Sequence, residues 1–234
     1  MLLLGKSERV ALWRQLAEGI EAYTEGIPAH RVTPEMDPAK VRAYLSAVDF
    51  ERPREPGEAL AFTLEGLWRF QTHTPHPNYY GLFNPAPTTM SIAADTLVAA
   101  FNPQLAAWSH SPFANEIEQF LVRALGGRFG YDPAATDGVF CSGGAEANHT
   151  AVLTALGRAF PEYLERGARA LDREPVLYVS SESHHSVLKA ARVSGLGMQA
   201  VREVLADETL RLDVAELRAT IARDRAEGRA PFLV

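Results

Sequence analysis

Eight consecutive residues, Cys141-Ser142-Gly143-Gly144-Ala145-Glu146-Ala147-Asn148, carry the sharpest local chemistry of this sequence. They lie between a strand-like run, Gly138–Cys141, and a helix-forming stretch from about Ala145 to Phe160. Two glycines allow a tight turn and close approach of the backbone to a ligand. The first N–H groups of a helix lack intrahelical acceptors, and its dipole favours negative charge there. Ser142 can cap that helix. The pattern reads as an anion site of the kind a phosphate occupies, or as a capped turn with no ligand. It matches neither Gly-x-Gly-x-x-Gly nor a P-loop, and Gly-Lys-Ser/Thr occurs nowhere in the chain.

A second cluster, Ser180-Ser181-Glu182-Ser183-His184-His185-Ser186, follows the apolar strand Val176–Ser180. Ligands of open parallel sheets bind at the carboxyl ends of strands. There His184 would stack on a flat heterocycle or move protons; otherwise one of the two histidines caps the next helix or faces solvent. Two histidines are too few for a zinc site, so no metal is expected. A third segment, residues 72–88, holds Pro75, Pro77, Pro85 and Pro87, which forbid a regular helix. Tyr79, Tyr80 and Phe83 make it aromatic, so it lines a pocket or packs as a connector.

The elements that must position these residues change character near residue 88. Residues 7–25, with Ser7 as N-cap, 38–48 and 58–70 read as helices, a helical arm suited to packing on a partner subunit. From residue 89 helices and strands alternate. Helices are expected over 89–100, 113–125, 145–160, 186–194 and 212–226. Strands are expected over 138–141, 176–180, 198–204 and from 231 to the end. The 113–125 helix gathers Phe113, Ile117, Phe120, Leu121 and Leu125 on one face. Such alternation implies an α/β fold with a mostly parallel sheet. The last residues printed form an apolar strand-like run, an unlikely boundary for a self-sufficient domain.

Composition narrows the function. With 23 Lys and Arg against 29 Asp and Glu, the net charge of -6 disfavours nucleic acid and anionic membrane as partners. A single cysteine, Cys141, excludes a disulfide framework and suits a reducing, cytoplasmic setting. The start lacks a signal-peptide pattern, and no stretch is long and apolar enough to span a membrane. Only three of the basic residues are lysines: Lys6, Lys40 and Lys189.

Together the motifs resemble the group II pyridoxal-phosphate-dependent amino-acid decarboxylases, relatives of the aromatic-L-amino-acid and glutamate enzymes. The resemblance rests on Ser142–Asn148 followed by Ser183-His184-His185-Ser186. It also rests on His76–Pro85, on Trp108–Pro112 with Glu116 and Glu118, and on Arg211–Leu217. It covers the chain from about residue 8 onward. It implies the amino-terminal part of a fold-type I large domain, with residues 1–88 as arm and substrate loop and residues 89–234 as an incomplete cofactor domain.

The resemblance also implies roles. Pyridoxal 5'-phosphate would be held by Gly144 and Ala145, with Ser142 and Gly143 shaping the turn. His184 would stack on its ring and handle protons. Tyr79 and Tyr80 would wall the amino-acid substrate. The family acts as a homodimer, and its cofactor-binding lysine and ring-nitrogen acid map beyond residue 234. The resemblance therefore implies a homodimer, or assembly with a chain carrying the C-terminal half. A carbon–carbon lyase of the sphingosine-phosphate-lyase type and a catalytically inactive truncation are the alternatives.

Overall fold

Proline sets where several helices begin. Its fixed φ suits a first helical turn, where its missing N–H removes nothing. In a computed structural model, which describes residues 3–34 and 36–234, α2 (Pro38–Leu45), α3 (Pro56–Phe70) and α5 (Pro112–Arg128) all open on it. Met1, Leu2 and Glu35 lie outside the described residues. The remaining helices are α1 (Lys6–Gly26), α4 (Thr89–Phe101), α6 (Gly144–Ala159), the single turn α7 (Tyr163–Arg166), α8 (Ser186–Val193) and α9 (Val214–Ala226). The strands are β1 (Pro175–Ser180), β2 (Val201–Val204) and β3 (Ala230–Leu233). The chain divides into two compact units, Met1–Pro103 and Gln104–Val234.

In the first unit, α1 and α3 pack at a small residue. A Cβ added to Gly19 would stand 2.7 Å from the end of the Leu64 side chain, which would have to shift to admit it. The N-cap of α1 is Gly5, not the expected Ser7. Glu8 folds back to accept from the Gly5 N–H at 2.6 Å, and the helix begins at Lys6, two residues earlier than a Ser7 cap would allow. The segment after α3 is irregular, as its prolines require, and is anchored by two buried histidines. His73 Nδ1 lies 3.1 Å from the Tyr23 hydroxyl, among the Tyr23, His30 and Trp68 rings. His76 accepts from the Asn78 N–H through Nδ1, and its Nε2 lies 3.1 Å from the His30 carbonyl. Two backbone partners thus fix the His76 tautomer, with the proton on Nε2.

In the second unit three parallel strands run in the order β2-β1-β3. The central β1 is buried along most of its length, the pattern of a strand covered on both faces. Leu177 meets Val152 of α6 and Ala190 and Ala191 of α8 in one apolar cluster. Tyr178, one residue on and therefore on the other face, reaches α9. Its hydroxyl donates to Asp224 at 2.8 Å. Arg202 at 3.3 Å and Arg229 at 2.9 Å close the network around that buried carboxylate. Burial, first, and the hydrogen bond to Asp224 push the Tyr178 hydroxyl far up. For Asp224 the hydrogen bond and the two arginines outweigh desolvation, and its carboxyl titrates below the usual range.

Three expectations are corrected. Residues 138–141 form no strand, because no strand among the described residues lies alongside to complete a ladder. Residues 198–200 form a 3-10 turn, so β2 begins only at Val201. The last helix starts at Val214, where Asp213 caps it by accepting from the Ala215 and Glu216 N–H groups.

Candidate active site

Helix α6 begins at Gly144, directly after the Ser-Gly-Gly turn. Gly143 has φ 176°, an extended conformation open to any residue. A Cβ added at Gly143 or Gly144 would meet nothing within 4 Å. The first-turn N–H groups at Gly144 and Ala145 have no intrahelical acceptor. That arrangement fits a phosphate-bearing group.

Ser142 does not cap α6, contrary to expectation. Its N–H and hydroxyl both donate to Glu146 Oε2, at 2.7 and 2.5 Å. The hydroxyl is turned toward the carboxylate, a charged acceptor that makes a strong hydrogen bond, and its oxygen accepts from no N–H of the α6 first turn. The hydroxyl, first, and then the N–H hold Glu146 below the usual carboxylate range. Ser142 thus braces the turn.

His184 stands at the start of α8, and its side chain does cap that helix. Its Nδ1 accepts from the Ser186 N–H at 3.2 Å, and the Ser186 hydroxyl lies 2.8 Å from the same nitrogen. The ring is otherwise exposed and lies 4.2 Å from the His185 ring. His184, followed by Lys189, pushes the His185 imidazole below its ordinary value. Lys189 itself is exposed on α8.

One contact joins the two helix starts. Asn148, early in α6, donates through Nδ2 to Ser186 Oγ at 2.7 Å. Since α8 follows the carboxyl end of β1, this bond holds the α6 N-terminus and His184 at the same edge of the sheet. Neither Asn148 nor Ser186 was singled out for a role from the sequence. Ser186 had a faint signal, a hydroxyl two residues after His184. Asn148 closes the glycine-rich motif, but nothing local points to its partner, which lies 38 residues away.

Tyr79 and Tyr80 lie in the first unit. The Tyr79 hydroxyl accepts from the Leu82 N–H at 3.1 Å. A Cβ on Gly81 would come within 2.5 Å of that hydroxyl, so glycine is required for the ring to fold over the turn. Tyr80 and Phe83 are fully exposed within this chain. Of the other quoted motifs, Trp108 Nε1 donates to Glu116 at 2.8 Å at the entry to α5. No helix among the described residues is long and apolar enough to cross a membrane.

Known proteins resemble this chain in sequence and fold. The pyridoxal-dependent decarboxylase conserved domain matches residues 55–234. The aromatic-L-amino-acid decarboxylase of Bacillus atrophaeus is 29% identical over the whole chain, which covers 47% of that protein. Human cysteine sulfinic acid decarboxylase is 30% identical over 77% of the chain and 37% of its own length. The crystal structure of the glutamate decarboxylase domain of a Vibrio parahaemolyticus L-2,4-diaminobutyrate enzyme superposes with a TM-score of 0.85 at 25% identity. It covers 100% of this chain and 52% of its own. Tryptophan decarboxylase of Catharanthus roseus shares the fold, with a TM-score of 0.86 at 19% identity over 100% of this chain and 51% of its own. The chain spans about half the length of the curated relatives it matches, and it belongs to the pyridoxal-phosphate-dependent decarboxylase family.

Proposed function

We propose that this chain supplies the phosphate cradle and the ring-covering imidazole of a decarboxylase acting on an L-amino acid. The observation that carries the reading is the Asn148–Ser186 bond, which holds an open helix N-terminus and a histidine at one sheet edge. Gly144 and Ala145 would bind the cofactor phosphate through their N–H groups, with the α6 dipole adding to the attraction. When bound, pyridoxal phosphate supplies an electron-withdrawing ring that accepts the electron pair released as CO2 leaves. His184 would cover that ring and exchange a proton through Nε2, the nitrogen that takes no part in capping α8. Tyr79 and Tyr80 would wall the substrate side chain.

On this reading the cofactor-binding lysine would lie outside residues 1–234. Lys189, the lysine of the second unit, sits on an exposed helical turn beyond His184. The working assembly is therefore a homodimer, or a complex with a chain carrying the C-terminal half, acting in the cytoplasm. The protein expressed from its natural gene, with whatever chain accompanies it, tests this. It is expected to be yellow, to retain pyridoxal phosphate through gel filtration and to release CO2 from an amino acid. Gly144→Val should reduce cofactor retention by about tenfold or more, the loss of at least one charge-assisted hydrogen bond. Retention unchanged by that substitution would overturn the placement of the phosphate.

A further inference from the structure

The bonds around Ser186 have a direction, and that direction reaches the proton on His184. Asn148 Nδ2 is a donor only, so the Ser186 oxygen must accept from it. A hydroxyl that accepts from an amide still has one proton to give. The nearest acceptor is His184 Nδ1, at 2.8 Å. The Ser186 backbone N–H points at the same nitrogen from 3.2 Å. Two donors converge on Nδ1, so Nδ1 must carry a lone pair and the neutral ring must carry its proton on Nε2. Ser186 is 1% exposed, so water does not compete for its hydroxyl. Hydrogen-bond chains linked through a buried hydroxyl act as units, because each member polarises the next.

We infer that Asn148 and Ser186 are positioning residues that lock His184 in the Nε2–H tautomer, through the relay Asn148 amide to Ser186 hydroxyl to His184 Nδ1. The relay decides which nitrogen holds the exchangeable proton, and the cap on α8 decides where the ring points. The same bonds thereby join helix packing to proton placement. The inference rests on His184 being the ring-covering histidine, but its test needs no cofactor.

The test is nitrogen NMR of the full protein labelled with 15N-histidine, freed of cofactor, at a pH where the ring is neutral. The two-bond couplings and shifts of His184 report its tautomer directly. The wild type should show Nε2–H, and a wild-type Nδ1–H ring overturns the relay. Asn148→Asp keeps the shape but replaces the donor with an acceptor. The Ser186 hydroxyl then turns to the carboxylate, and its oxygen accepts from His184. The tautomer ratio should move toward Nδ1–H by about tenfold, as expected for one redirected buried hydrogen bond. Ser186→Ala should leave a mixed population, and Ser186→Thr, which restores a hydroxyl, should restore Nε2–H. If any of these variants unfolds, the others still decide. A ratio unmoved by Asn148→Asp and Ser186→Ala in folded protein removes the relay. Failure of the cofactor reading shows separately, as unchanged pyridoxal phosphate retention in Gly144→Val and His184→Ala while the tautomer shifts persist.

Discussion

Helices α5 and α8 both show an apolar stripe in the sequence, yet they end in opposite environments. The stripe of α8 is buried: Ala190 and Ala191 meet Leu177 of the sheet and Val152 of α6. The stripe of α5 is bare, with Phe113 80% and Phe120 71% exposed, and only Val122 and Gly126 are covered. Periodicity states that a helix needs a cover; it does not state who provides it. For α8 the chain provides the cover through a strand fewer than ten residues upstream. For α5 the described residues cover only Val122 and Gly126 fully, and a partner segment of the proposed assembly would cover the rest. The same holds for residues 138–141, which have strand composition and no neighbour to pair with.

The comparison can be broken where it is strongest. Leu177→Ala, at a position of 0% exposure under α6 and α8, should destabilise the second unit by about 3–4 kcal/mol in urea denaturation. A loss below about 1 kcal/mol would mean that this core is loose. Next in size is Asp224→Ala. It leaves Tyr178 without its acceptor and removes one partner from each of two partly buried guanidinium groups, which keep their pairing with Glu174. About 2–3 kcal/mol should be lost, and Asp224→Asn should recover part of it by restoring an acceptor for the tyrosine.

His73 offers a smaller, pH-dependent effect in the first unit. Burial, the dominant cause, pushes its imidazole below the ordinary 6.5. The unfolded chain therefore takes up the proton first as pH falls. The stabilisation from a neutral His73 is complete above that value and is lost below it. Unfolding followed by Trp68 fluorescence, with Trp13 and Trp108 replaced by phenylalanine, should show lower stability at about pH 5.5 than at about pH 7.5. His73→Gln should flatten that dependence. The smallest effect belongs to Phe120→Ser on the bare face of α5. Stability of the isolated chain should change by no more than about 0.5 kcal/mol. Light scattering should fall as an exposed apolar patch is broken.

Several features were readable because they depend on neighbours in the chain. Pro38, Pro56 and Pro112 mark helix starts, four prolines keep 72–88 irregular, and the apolar run at 176–180 is a buried strand. The glycine-rich turn before α6 was readable for the same reason. What escaped depends on long-range or competing partners. Ser142 looked like a cap, but a carboxylate four residues later takes its hydroxyl. The strand expected at 138–141 failed because pairing needs another strand. The tautomer relay was invisible because Asn148 finds Ser186 only once α6 and α8 have packed.

The sheet order also sets a schedule for folding. β1 lies in the middle but is made first, and the Glu174–Arg229 ion pair that flanks its junction with β3 spans 55 residues. During synthesis β1 therefore leaves the ribosome with both edges unpaired and waits for α8, β2 and α9 before β3 can seal it. Its Pro-Val-Leu-Tyr-Val sequence has high strand propensity and carries no charge. While waiting it is a template for intermolecular pairing. Growth at reduced temperature or with added chaperone should therefore raise the yield of dispersed protein more than any substitution on the finished surface.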